Sequence, residues 1–114
     1  MSTSQSTIDF ILDQLNSIKN VSARKMFGEY ALYCDGKVVG LVCDDNLFIK
    51  ITEAGLKFAK KGYVEGHAYP GAKISMQINE EKLEDRIWLA ELVKLTAQNL
   101  PMPKPKLVKK KYNV

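Results

Sequence analysis

Residues 26–51 read MFGEYALYCDGKVVGLVCDDNLFIKI, and their reading decides the fold. Tyr30 to Cys34 is an apolar and aromatic run that ends at Asp35-Gly36. Asp-Gly supplies the two positive-φ positions of a type I′ turn, a strong short-range hairpin signal. A two-residue loop fixes the register, so Tyr33 is expected opposite Val38. Val38 to Cys43 is β-branched and apolar, and Asp44-Asp45-Asn46 is a second turn cluster. Leu47 to Ile51 then forms a third strand, with Leu47, Ile49 and Ile51 on one face and Phe48 and Lys50 on the other. Such a meander buries one face, and that face needs a layer of helices.

Working outward, Val21 to Phe27 predicts a further strand, with Gly28 as a bulge or bend leading into Tyr30. Before it, Ile8, Ile11, Leu12, Leu15 and Ile18 recur at helical spacing. Ser6 or Thr7 is the expected N-cap of that helix, Asp9 lies in its first turn, and the helix is expected to end near Asn20. After the meander, Thr52 caps a short helix that stops at Gly62. Tyr63 to Ala72 reads as a loop or pair of turns, with Tyr69-Pro70-Gly71 in the type II pattern. Ile74, Met76 and Ile78 alternate as in a half-buried strand. Asn79 opens a last helical stretch to Asn99, broken near Glu84-Asp85, with Leu83, Ile87, Trp88, Leu92 and Leu95 on its apolar face and Trp88 as a core anchor. The expected fold class is α+β, a two-layer sandwich of an antiparallel sheet with helices on one face.

The chain of 114 residues holds one domain. The formal charge of +4 comes from 17 basic and 13 acidic residues. Lys104, Lys106, Lys109, Lys110 and Lys111 stand in a closing segment without acids, so residues 1–103 hold 12 basic against 13 acidic residues. The excess charge thus belongs to a proline-punctuated, extended tail over residues 104–114, which is set apart from the domain at 1–103. These five lysines are the candidate nucleic-acid contacts, for weak and non-specific binding. No apolar run approaches the roughly 20 residues of a membrane span, and the polar start MSTSQST lacks a secretory h-region, so a cytoplasmic protein is expected.

Catalytic chemistry has little to stand on. Cys34 and Cys43 fall too far apart along neighbouring strands for a disulfide. His67 is the single histidine, and no Cys-x-x-Cys or His-x-x-x-His spacing occurs, so no metal and no cofactor is expected. The glycines are too scattered for a phosphate loop, and Glu29 is one carboxylate without a partner. Arg24 and Lys25, with Glu29, Tyr30 and Tyr69, are the candidate contacts for a partner or a small ligand.

Five blocks together resemble the TfoX N-terminal domain family. They are Arg24-Lys25-Met26-Phe27-Gly28-Glu29-Tyr30, Tyr33-Cys34-Asp35-Gly36-Lys37, Leu47-Phe48-Ile49-Lys50, Tyr69-Pro70-Gly71-Ala72-Lys73 and the closing Leu100-Pro101-Met102-Pro103-Lys104-Pro105-Lys106. The resemblance implies a secretion-chaperone-like α+β domain without catalytic residues. It also implies a regulatory, protein-interaction role of the TfoX and Sxy kind, in competence and transcription. A partner would then come from the transcription machinery or be a cyclic-AMP receptor-type regulator, and a homodimer is compatible with it. The chain ends after the first of the two domains that those longer regulators carry. The alternatives are nucleic-acid binding through the lysine tail and a small-ligand domain with its pocket near Glu29, Tyr30 and Tyr69.

Overall fold

The computed structural model describes residues 3–101. Six antiparallel strands form one open sheet: β1 (Val21–Met26), β2 (Glu29–Cys34), β3 (Lys37–Cys43), β4 (Asn46–Ile49), β5 (Tyr63–His67) and β6 (Ile74–Ile78). The spatial order is β1-β2-β3-β4-β6-β5, which leaves β1 and β5 at the edges. Four helices, α1 (Gln5–Gln14), α2 (Glu53–Ala59), α3 (Glu80–Leu83) and α4 (Arg86–Asn99), supply the second layer. This is the α+β two-layer sandwich expected from the meander.

Three two-residue turns build the first four strands. Asp35 and Gly36 have φ of 54° and 78°, and Tyr33 pairs with Val38 as the loop length requires. Asp44 and Asp45 have φ of 52° and 62° and close Cys43 onto Asn46. The third turn corrects the sequence reading: Phe27 and Gly28, at 52° and 82°, form a two-residue hairpin turn that pairs Met26 with Glu29, and Gly28 is not a bulge. Phenylalanine is foreign to such turns, because an L side chain at positive φ crowds its own backbone. The one bulge sits elsewhere, on β3, where Leu32 faces Gly40 and Tyr33 faces Val38, leaving Val39 as the extra residue. Its side chain is fully buried.

Helix α1 starts earlier than expected. Ser4 is the N-cap, its hydroxyl accepting from the Thr7 N–H, in place of Ser6 or Thr7. A tertiary contact explains the choice: Asp45 Oδ1, in the β3–β4 turn, accepts from the Ser4 N–H at 2.9 Å and the Thr7 hydroxyl at 2.8 Å. The helix proper ends at Gln14, and turns carry the chain to Asn20, which has φ of 62°. Ile8, Ile11 and Leu15 are buried, with Leu12 and Ile18 at the border of the core. Tyr63 to His67, read from sequence as loop, is the edge strand β5; its partner β6 supplies the ladder that a lone Gly-containing segment could not. The Tyr69–Ala72 turn does have its expected form, with the Ala72 N–H on the Tyr69 carbonyl and Gly71 at φ 89°.

All four helices pack on one face of the sheet. Leu89, Leu92 and Val93 of α4 are fully buried against Leu32, Val39 and Ile49, each large apolar side chain contributing about 1.5–3 kcal/mol. Asp85 separates α3 from α4 and caps the latter, accepting from the Trp88 N–H at 3.0 Å. Trp88 is half-buried rather than central, its ring 5.8 Å from that of Phe58 on α2. Ile87, assigned from its spacing to the apolar face, is 84% exposed, because at about 100° per residue it lies nearly opposite the face that Leu89, Leu92, Val93 and Thr96 bury. Gly55 of α2 is buried beside Leu92 and Met76.

Candidate functional site

The sheet's other face carries no helix. The register puts Arg24, Ala31, Leu41, Phe48, Gln77 and Val64 in one row across it. Phe48 is nevertheless only 6% exposed, its ring lying beside Gly66 of β5. Two surfaces lie at opposite ends of this face.

The first is the β1–β2 hairpin tip. Phe27 is 99% exposed, and Met26, Arg24 and Lys25 beside it are exposed as well. The Arg24 guanidinium lies 5.2 Å above the Tyr33 ring, a cation–π contact that holds it flat on the sheet. Of the residues singled out from sequence, Arg24, Lys25, Glu29 and Tyr30 converge here through the pairs Lys25–Tyr30 and Met26–Glu29. Two of these four are already engaged. Glu29 Oε1 accepts from the Thr3 hydroxyl at 2.6 Å and the Asp44 N–H at 3.1 Å, tying the N-terminal segment to the β3–β4 turn. Tyr30 is buried, and its hydroxyl donates to Gln5 Oε1 at 3.2 Å. Arg24 and Lys25 remain as outward charges, and Phe27 joins them as a residue that the sequence reading passed over. Its signal was available: an aromatic directly before Gly28 at a hairpin turn has no structural reason to be large.

The second surface is a cleft of about 770 Å³. It opens because β4 and β6 share only the pairs Phe48–Gln77 and Ile49–Met76. Past Ile49 the chain leaves for α2, while the β5–β6 hairpin runs on to the His67–Ile74 pair. Val38, Leu41, Phe48, Tyr69 and Ile74 line the space with apolar surface, and Leu100 and Pro101 close one side. Lys37, Lys50 and Lys73 are its charged groups. The Lys37 ammonium donates to the Ala97 carbonyl at 2.7 Å, at the negative end of α4. His67 Nδ1 hydrogen-bonds the Ala72 carbonyl at 2.6 Å and braces the loop that carries Tyr69. A ligand pocket shared by Glu29, Tyr30 and Tyr69 is therefore not formed. Strand order puts Glu29 and Tyr30 at the Phe27 end of the meander and Tyr69 at the other.

Both cysteines are buried, and neither lines the cleft. Burial pushes the Cys34 thiol up, with Asp35 adding to it against Lys37. Burial also pushes Cys43 up, helped by the Glu29 carboxylate. Raised thiols are poor nucleophiles. Among the described residues no three His, Cys, Asp or Glu side chains converge as metal ligands. No helix among them is long and apolar enough to cross a membrane. Lys104, Lys106, Lys109, Lys110 and Lys111 lie outside the described residues.

Comparison with known proteins gives this architecture its kin. The chain is 40% identical over 111 residues to an uncharacterized 12.7 kDa protein in the trpE 5′ region of Spirochaeta aurantia, a match that covers 97% of this chain and 95% of the relative. Residues 13–100 match the TfoX N-terminal domain, a span that includes the whole sheet, α2, α3 and α4. The chain belongs to the TfoX N-terminal domain family.

Proposed function

We propose that the chain is a non-catalytic interaction module of transcriptional regulation, and that it takes an acidic, extended segment of a partner protein along β1. The observation that carries this reading is Phe27, wholly exposed on left-handed backbone at the hairpin tip. A large L side chain in that conformation costs about 1 kcal/mol or more, and among the described residues nothing that it touches offsets the cost. A partner that buries the ring would. Aromatic and arginine side chains are the preferred anchors of protein interfaces, and Phe27 and Arg24 stand one hairpin arm apart.

The adjoining edge suits strand addition. β1 spans six residues, and among the described residues no strand lies beside its outer edge. Arg24 and Lys25 set the sign of the guest strand. They also make a second copy of the chain a poorer guest, since antiparallel self-pairing of β1 brings these cations close to their own counterparts. The transcriptional setting rests on the family, whose longer members point to the transcription machinery or a cyclic-AMP receptor-type regulator as the partner class. The test is direct titration with such purified regulators, combined with amide hydrogen exchange. Binding should protect β1 amides and weaken at least about tenfold in Arg24→Glu/Phe27→Ala, as loss of a central anchor does. Protection confined to the helices, or equal binding by the variant, would refute the reading.

A further inference from the structure

We infer that the cleft between β4 and the β5–β6 hairpin is a binding site for a small organic anion with a flat apolar body. The site is distinct from the β1 edge, and its lysines stand toward the end of the sheet opposite Phe27. Its size falls within the range of about 300–1,000 Å³ that small-molecule sites occupy. Its charge is the stronger argument. The described residues hold 12 basic and 13 acidic side chains, yet the cleft lining includes three lysines and no carboxylate. A body near neutrality has therefore gathered one sign of charge around one apolar hollow.

Those charges are also available. The single ion pair among the described residues joins Asp13 to Arg86, so no carboxylate there pairs with Lys37, Lys50 or Lys73. Lys50 and Lys73 are exposed, whereas Lys37 is half-buried and held on the Ala97 carbonyl, which fixes its charge. Between them lies the surface for the apolar body. Phe48 and Leu41 form the sheet-side wall, and Tyr69, 53% exposed, stands at the rim with the exposed Ile74. The Tyr69 ring rides on a rigid support, because Pro70-Gly71 closes a hydrogen-bonded turn beneath it and His67 braces the loop. An exposed tyrosine and isoleucine on a lysine-rimmed hollow leave apolar area wet that a bound ring would cover. A carboxylate, sulfonate or phosphate on that ring would meet the ammonium groups at the mouth.

The full chain can be tested with 1-anilinonaphthalene-8-sulfonate and its uncharged counterpart N-phenyl-1-naphthylamine, followed by fluorescence. The sulfonate should bind at one saturable site and weaken as salt is raised, because Lys50 and Lys73 are exposed and screened. Lys50→Glu/Lys73→Glu should weaken it by at least about tenfold through reversal of the nearby charges, and leave the uncharged probe within about twofold. Lys57→Glu/Lys60→Glu, the same charge change at the end of α2, should leave both probes unaltered. Amide shifts on titration should centre on residues 38–41 and 69–75. Unsaturable binding, equal loss in the two double variants, or shifts centred on residues 104–114 would each overturn the proposal. Circular dichroism verifies the folds of both double variants.

Discussion

Phe27→Asn should make the isolated protein more stable while making it a poorer binder. Phe27 holds φ of 52° in a two-residue turn and is 99% exposed. With that exposure, the transfer free energy lost on removing the ring is near zero. What changes is the backbone. Left-handed conformation costs an ordinary L residue about 1–2 kcal/mol, and asparagine is among the few that tolerate it, since its short amide bonds locally. Asparagine directly before Gly28 would also make the preferred type I′ pair. Allowing for partial relief, the gain should be about 0.5–1 kcal/mol. In a domain of this size that raises Tm by about 3–6 °C. Urea denaturation should show a higher midpoint with an unchanged slope. Phe27→Ala separates the two causes: it removes the ring but keeps a strained residue, so it should gain little. Partner binding should fall in both variants. A loss of more than about 0.5 kcal/mol in Phe27→Asn, above ordinary surface scatter, would mean that Phe27 packs within the chain and would refute the reasoning.

Three further outcomes are expected. Gly40→Ala should destabilise by about 3 kcal/mol or more in urea, beyond usual overpacking, because a side chain there would overlap the Phe48 carbonyl oxygen and backbone cannot swing aside; a cost below about 1 kcal/mol would show that the bulge at Val39 relaxes. The Asp45 carboxyl is held below its ordinary value by hydrogen bonds from the Ser4 N–H and the Thr7 hydroxyl. Its contribution is therefore complete above the ordinary aspartate value of about 3.9 and is lost as pH falls through the lowered folded value, so the stability of wild type relative to Asp45→Asn should decline over that acidic window; a pH-independent difference would sink the assignment. Finally, the five lysines of residues 104–114 should give weak, sequence-independent DNA binding, with a log–log salt slope no steeper than about −4.5 and with loss on deletion of that segment; salt-resistant binding by the truncated chain would contradict it.

Sequence carried the fold where local chemistry and tertiary demand agree. Asp35-Gly36 closes its hairpin in the register its length requires, and the β3–β4 turn follows from Asp44-Asp45 for the same reason. The break at Asp85 was legible because aspartate caps helices better than it continues them. Where the structure departs, a distant contact decides. Ser4 displaces Ser6 and Thr7 as cap because Asp45, far along the chain, takes its N–H. Tyr63–His67 becomes a strand because β6 is there to pair with it. The candidate contacts fared less well, since residue type alone does not tell an engaged group from a free one. Glu29 and Tyr30 look as suitable as Arg24, yet their polar atoms bond Thr3, Asp44 and Gln5. The cleft was invisible because its lining comes from separate segments, and its existence depends on how short the β4–β6 ladder is.

The two proposed sites and the closing segment divide the positive charge of the chain. Excess cation stands in three places: Arg24 and Lys25 on β1, Lys37, Lys50 and Lys73 at the cleft, and the closing lysines. Four of the 13 acids, Glu80, Glu81, Glu84 and Asp85, cluster around α3 and the start of α4, and Glu29 at the β1–β2 tip is engaged by Thr3 and Asp44. One broad nucleic-acid face would need these patches to merge across the sheet. Phe27 and Lys37 stand at opposite ends of the meander, six residues of β2 at about 3.3 Å each, or roughly 20 Å, apart. Arg24 shares its row with Leu41 and Phe48 of the cleft, so distance alone does not part the two sites. Their guests do: β1 offers main-chain pairing to an extended strand, and the cleft offers an apolar hollow rimmed by lysines to a compact anion.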